Sequence, residues 1–231
     1  MTKIRWGVLG TGNIVAKGGA ALHHTSNGEW IGVAGRNEEN SRAAAERYGV
    51  PRAYSSYREC IEDPEIDAVY IALLNHLHYE WAMAAIQAGK HVLLEKPITL
   101  NAEEAEKLRR AAEESGVQLM EAFVWRFYPV FQEAKRRIEQ GEIGEPVFVN
   151  GHFSFAAQPT STRLVKEWGG GSLWDVGCYP VSWARYFFGD EPEAADCALT
   201  FDRNGVDIRA SGMLHFAGGR TAHIGSGLDT P

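Results

Sequence analysis

A chain of 231 residues, 45% hydrophobic and 23% charged, has the makeup of an ordinary globular protein, long enough for one large domain or two small ones. Its 30 acidic against 23 basic residues leave a net charge of −7, which argues against nucleic acid or an anionic membrane as partner, since both need an excess of Lys and Arg. The start "MTKIRWGVLG" is too short in apolar residues for a signal peptide and no later run approaches a membrane span, so a cytoplasmic location is expected. Cys60, Cys178 and Cys197 are odd in number and form no CxxC, which fits free thiols in a reducing compartment.

Up to about Glu121 short apolar runs alternate with helical patterns, the rhythm of βαβ units that build a parallel sheet. "IRWGVL" reads as the first strand, "NIVAKGGAALHH" as a helix, "EWIGVAG" as the second strand and "EENSRAAAERYG" as a helix ended by Gly49. A weak strand near Ala53, a short helix around "YRECIED" and the buried strand "DAVYIAL" follow. Asn75 is placed to cap a helix through "HYEWAMAAIQAG" that Gly89 ends. "HVLLE" is the next strand, and Asn101 with Glu103 and Glu104 opens "AEEAEKLRRAAEESG" with acids where the helix dipole favours them. "VQLMEA" is the sixth strand.

The rhythm then changes. An amphipathic helix from Tyr128 to Gln140 leads to the alternating run "VFVNGHFSF", and "EAADCALTF", "VDIRASGMLHF" and "RTAHIGSGL" follow one helix in "LWDVGCYPVSWARYFFG". Strands in succession with turn signals at Arg203-Asn204-Gly205 and Gly218-Gly219 predict a mainly antiparallel sheet. The expected architecture is α/β: a Rossmann-type domain with a parallel sheet over residues 1–122, then an α+β domain over 123–231.

"GVLGTGNIVAKGG" sets Gly10 and Gly12 directly after a strand and before a helix, the context a dinucleotide fingerprint requires. Gly10 permits the tight turn, and Gly12 removes a Cβ so that backbone can approach a pyrophosphate held by N–H groups and the helix end. The third small position is Val15 or Ala16, a departure expected to loosen packing. Strand two ends in "VAGRNEEN" instead of an acid for a ribose 2′-OH. Gly35 leaves room, Arg36 offers a fork for a 2′-phosphate and Asn37 a further donor, which favours NADP, with NAD as the alternative cofactor and a solvated surface arginine as the plain reading.

Lys96, in "EKPITL", stands at the carboxyl end of a buried strand, where ligands of open α/β sheets lie. The run "GGGSLWDVGCYP" has three glycines read as flexible, then a helix that carries Asp175 and Tyr179 on one face. Lysine and tyrosine make a sensible acid–base couple for hydride chemistry, because a nearby cation lowers a phenol's pKa. Lys96, Tyr179 and Asp175 are therefore the catalytic candidates, although a lone helix tyrosine is more often a packed aromatic.

"GVLGTGNI", "YIALLNHLHYEWAMAAIQAGKHVLLEKP", "LMEAFVWRFYP" and "GGGSLWDVGCYPV", in this order and spacing, resemble the Gfo/Idh/MocA oxidoreductases over the whole chain. The nearest branch is that of dimeric dihydrodiol dehydrogenase, NADP-dependent xylose dehydrogenases and glucose–fructose oxidoreductase. The resemblance implies that Lys96 and Tyr179 are the catalytic pair and that the Lys96–Pro97 bond is cis. It implies that Gly10, Gly12, Asn13 and Ile14 hold the pyrophosphate and Arg36 the 2′-phosphate. Leu73, Asn75 and His78 would take the adenine–ribose and nicotinamide side, and Glu95 and Lys96 the nicotinamide ribose. Trp125, Arg126 and Trp168 would close over the cofactor, and Phe153, with Tyr179, would line the substrate pocket.

A metal at His76 and His78 is not expected, because residues two apart on a helix point apart, and Cys178 is not needed as a nucleophile. Family members usually run further, so the second domain is expected to be C-terminally truncated, with an uncovered sheet prone to self-association; in a complete form that sheet would carry a homo-oligomer. The expected function is NADP-dependent hydride transfer between nicotinamide and a sugar, cyclic polyol or dihydrodiol carbinol. A non-catalytic dinucleotide sensor, or an inactive fragment of such an enzyme, is the alternative.

Overall fold

The computed structural model describes residues 3–230, which fall into two compact units that meet in sequence between Ala122 and Phe123. In the first, β1 (Ile4–Leu9), α1 (Gly18–Ala21), β2 (Gly28–Ala34), α2 (Glu38–Tyr48), β3 (Arg52–Tyr54), α3 (Tyr57–Glu62), β4 (Ala68–Ile71), α4 (His78–Gln87), β5 (His91–Leu94), α5 (Ala102–Ser115) and β6 (Leu119–Glu121) alternate along the chain. All six strands are parallel, in the order β3-β2-β1-β4-β5-β6. Val8, Val33 and Tyr70 bury one face with Trp30, while Leu9, Val69, Ile71 and Leu94 bury the other. Covered on both faces, the central strands read as continuous apolar runs, the sequence mark of a doubly wound sheet. Strand order reverses between β1 and β4, and this crevice at the carboxyl ends is where such sheets bind ligands.

Helix ends follow local chemistry. Asn37 and Asn101 accept the N–H groups of Asn40 and Glu104, each at 2.9 Å, and so open α2 and α5. Gly49 and Gly116, at φ +65° and +67°, end them in the left-handed region. Two expectations are corrected. Asn75 does not cap α4: it opens a 3₁₀ turn over Asn75–Leu77, and the helix starts at the buried His78 with Leu77 in the cap position and no side-chain cap. The first helix is also much shorter than expected, since Asn13–Lys17 form turns and only Gly18–Ala21 are α-helical. A Cβ on Gly18 would stand 2.4 Å from the Tyr70 hydroxyl, and one on Gly19 would stand 2.9 Å from Val15 Cγ1. The paired glycines let this segment press onto the sheet and weaken it as a helix.

The second unit holds α6 (Pro129–Glu139), β7 (Phe148–Ser154), α7 (Cys178–Phe188), β8 (Ala194–Phe201), β9 (Asp207–His215) and β10 (Thr221–Gly227). Its sheet runs β7-β10-β9-β8; β10 pairs parallel with β7, and the other pairs are antiparallel. Ala184 and Phe188 of α7 pack on Leu214, Ala222 and Ile224, with Phe188 and Phe216 edge to face at 4.7 Å. Among the described residues no helix is long and apolar enough to cross a membrane.

Candidate dinucleotide site and catalytic groups

The glycine loop leaves the carboxyl end of β1 at the switch point. Gly10 N–H donates to Ala34 O and Ala72 N–H to Leu9 O, both at 2.8 Å, which laces the ends of three strands together. Gly10 sits at φ +119° with Ala72 O 2.3 Å from where a Cβ would be, so both backbone and space demand glycine. At Gly12 a Cβ would project into open space. The loop thus presents bare backbone beside the half-exposed apolar Ile14, 41% exposed, and the exposed Asn13, a surface that fits a pyrophosphate and its flanking groups. With α1 only four residues long and beginning at Gly18, the loop N–H groups themselves, not a helix end, are what the sequence offers an anion. Val15 does not loosen the packing. It is wholly buried among Val8, Trp30 and Val33, and the small-residue role has moved to Gly19.

At the end of β2, Gly35 N–H donates to Ser41 Oγ at 2.7 Å, and a Cβ there would meet Asn40 Cβ at 2.9 Å and Thr11 Cγ2 at 3.1 Å. Gly35 is therefore fixed by the approach of α2 and the glycine loop. Arg36 is exposed beside this junction; burial pushes the Tyr57 phenol up, and the Arg36 charge opposes that rise. Asn37 spends its side-chain oxygen on the α2 cap, which leaves its amide N–H groups as donors.

Glu95, Lys96 and the cis Lys96–Pro97 bond follow β5. The Tyr70 hydroxyl donates to Glu95 Oε1 at 2.5 Å, and Ile98 N–H donates to Glu121 Oε1 at 2.9 Å, securing the turn on both sides of Lys96. Lys96 is half-buried. Burial pushes the Glu95 carboxyl above the ordinary 4.5, against the opposing pulls of Tyr70 and Lys96. Between 4.5 and this raised value the folded state binds more protons than the unfolded one, so stability falls as pH rises through that window. Glu95→Gln, which keeps an acceptor for Tyr70, is expected to raise Tm at pH 8 and to lose that advantage below about pH 4.5. Thermal melts of both proteins across that range check this.

Leu73 and Asn75 lie half-buried at the end of β4, on the same edge as Lys96. His78 is placed differently from the cofactor contact expected of it. Its ring is fully buried, with Nδ1 2.7 Å from Pro97 O and Nε2 3.2 Å from Leu73 O, so both nitrogens already face backbone carbonyls.

In the second unit the glycines before α7 are close-approach residues, not flexible ones. A Cβ on Gly170 would stand 2.4 Å from Arg163 O, and Gly171, at φ +133°, would place one 2.1 Å from Asp207 Oδ1. Asp207 Oδ2 accepts from Ser172 Oγ at 2.9 Å and Leu173 N–H at 2.8 Å, pinning the start of a π-helical turn, Leu173–Gly177, that runs into α7. π-helical turns are frequent at functional sites. Asp175, 7% exposed, accepts from Arg163 Nε at 2.6 Å, which makes it an anchor of this turn. Tyr179 is half-buried, with Phe123 and Phe153 edge-on at 5.3 and 5.2 Å, so Phe153 does flank it. Trp125 is a core residue instead of a lid. It is 3% exposed, with Phe131 and Tyr186 against it at 5.0 and 5.3 Å. Arg126 is exposed and lies over the Tyr186 ring at 5.5 Å, while Trp168, 40% exposed, ends a 3₁₀ turn.

Four residues that place these groups are absent from the sequence reading: Tyr70, Glu121, Arg163 and Asp207. A lone tyrosine in the aliphatic run "DAVYIAL" is a legible cue, because a buried phenol needs a partner. Asp207 acts on residues more than thirty positions earlier and gives no local signal.

Comparison with known proteins adds independent findings. Residues 4–123 match the family model described as "Oxidoreductase family, NAD-binding Rossmann fold", and residues 131–231 match "GFO/IDH/MocA C-terminal domain". D-xylose 1-dehydrogenase (NADP(+)) 2 of Haloferax volcanii is 41% identical over 229 residues, 98% of this chain and 70% of that protein. Trans-1,2-dihydrobenzene-1,2-diol dehydrogenase of Xenopus laevis is 34% identical over 225 residues, 96% of this chain and 68% of that one. Among solved structures, KijD10, a 3-ketoreductase from Actinomadura kijaniata in complex with NADP and TDP-benzene, is 31% identical with a TM-score of 0.91, covering 99% of this chain and 71% of that one.

Proposed function

This chain belongs to the Gfo/Idh/MocA family of oxidoreductases, and we propose that it transfers hydride between NADP and a hydroxyl-bearing carbon of a sugar, cyclic polyol or dihydrodiol. The observation that carries this reading is the shared carboxyl edge of one parallel sheet: Gly10 and Gly12 follow β1, Leu73 follows β4 and Glu95–Lys96 follow β5, and these three strands are neighbours. That both a pentose dehydrogenase and a cyclic diol dehydrogenase are among its relatives supports a ring substrate with adjacent hydroxyls.

In this reading the backbone of Gly10–Ile14 holds the pyrophosphate and Arg36 the 2′-phosphate. Leu73, Asn75 and Glu95 border the nicotinamide ribose. When bound, the nicotinamide supplies the hydride acceptor or donor. Glu95, held by Tyr70, keeps Lys96 and the ribose in register. Lys96 offers an ammonium that orients the reacting hydroxyl and favours its deprotonated form, and the Tyr179 phenol takes or gives the hydroxyl proton. Asp175, tied to Arg163, positions the turn that presents Tyr179. Phe153 packs beside Tyr179 and offers an apolar flank to a ring substrate. A panel of aldoses and trans-dihydrodiols with NADP, followed at the nicotinamide absorbance, is expected to give turnover with at least one member; none with any member would reject the reading.

Cofactor choice rests on Arg36. A charged hydrogen-bonded contact is worth about 1.5–3 kcal/mol, so NADP is expected to bind at least about tenfold more tightly than NAD. Arg36→Ala should remove that preference and leave NAD affinity unchanged. Titration of both cofactors into both proteins checks this, and equal affinities in the wild type would contradict it.

A further inference from the structure

We propose that His78 is a positioning residue for Lys96: its imidazole ties the Lys96–Pro97 turn after β5 to the start of α4 and does not contact the cofactor. The inference rests on the reading of Lys96 as the cation that acts on substrate. His78 begins α4, its ring fully buried, Nδ1 2.7 Å from Pro97 O and Nε2 3.2 Å from Leu73 O. Carbonyl oxygens only accept, so the ring must be the donor at each contact, and a neutral imidazole carries a single N–H. The shorter contact assigns that N–H to Nδ1, facing Pro97.

Burial, together with the Lys96 charge, holds the imidazole below its ordinary value, against the pull of the two carbonyls, so the neutral ring is the working form. The Pro97 bond is then the one maintained. Pro97 is itself buried, and its carbonyl lies one peptide beyond Lys96. Fixing that carbonyl sets the direction from which the Lys96 side chain leaves the turn. The other fastening, Ile98 N–H to Glu121, lies on the far side of the same proline. Together the two bonds hold the turn at consecutive residues.

The experiment compares His78→Asn, His78→Gln and His78→Ala. An Asn amide sets a donor near the place of Nδ1 and can reach Pro97 O; a Gln amide sets one near Nε2 and favours Leu73 O. If the Pro97 bond positions Lys96, Gln and Ala should lower kcat roughly a hundredfold, as a displacement of about 1 Å can, while Asn stays within about fivefold of wild type. NADP affinity should change little in all three. In a Lys96→Met background the same substitutions should add no further loss, because they act through that lysine.

Amine labelling of Lys96, read by mass spectrometry of its peptide without substrate present, gives a second readout that does not need turnover. Its rate should shift in Gln and Ala and match wild type in Asn. Equal losses in Asn and Gln, labelling unchanged in Gln, or weaker NADP binding with kcat preserved would overturn the proposal, the last by making His78 a cofactor contact. If Ala does not fold, the Asn–Gln comparison decides alone. If wild type turned over no substrate while the labelling pattern held, the functional reading would fall and the positioning role would stand.

Discussion

Lys96→Met and Tyr179→Phe are each expected to lower kcat by about 10²–10⁴-fold, the usual contribution of general acid–base groups. In the proposed mechanism both groups act on the same hydroxyl proton, so the double variant should lose far less than the product of the single losses. Lys96 stands at the carboxyl end of a central parallel strand, between a glutamate gripped by Tyr70 and a turn fastened through Ile98 and Pro97. Such fastening is more than a surface cation needs. Tyr179 is half-buried, with Phe123 and Phe153 edge-on against its ring, a setting that keeps a phenol partly from water. NADP affinity should be largely kept in both variants, because the glycine loop and Arg36 are untouched. Near-normal turnover of Lys96→Met with a substrate the wild type accepts would reduce the lysine to a bystander.

The second large effect separates the two loop glycines. Gly10→Ala is expected to destabilise the fold by about 1–3 kcal/mol from its backbone conformation alone, with more from the approach to Ala72 O, 2.3 Å from the added Cβ. Gly12→Ala should leave Tm close to wild type, since its Cβ would enter open space. It should nevertheless weaken NADP binding about tenfold or more, by displacing an anion from a charge-assisted N–H contact. Thermal melts and NADP titrations of both variants distinguish the two roles. A Gly12→Ala protein that binds NADP normally would show that the pyrophosphate does not lie on this loop.

Much of the first unit was legible because its signals are local. Buried parallel strands read as apolar runs, and Gly49 and Asn101 act as stop and cap through a φ value or a side chain within a few residues. The long first helix was misread because "NIVAKGG" has helical spacing but carries two glycines that serve contact with Tyr70, Val15 and Trp30, a tertiary demand. Asn75 looked like a cap by residue type, while the helix start was set by the buried His78. The same distance effect hid how α7 is built: the three glycines looked flexible, and two of them are forced by Arg163 O and by the Asp207 carboxylate. Trp125 could be read as a lid only while its neighbours Phe131, Trp183 and Tyr186, spread over sixty residues, were not known to surround it.

The most direct test is isotopic. NADPH carrying deuterium at the transferred position of its nicotinamide, incubated with the carbonyl form of a substrate found in the aldose and dihydrodiol panel, should deliver that deuterium to the product's carbinol carbon with wild-type protein. With Lys96→Met the transfer should be slowed by about 10²–10⁴-fold. Tight NADPH binding with no deuterium on carbon would contradict hydride chemistry at this site, and transfer undiminished without Lys96 would contradict the part given to that lysine.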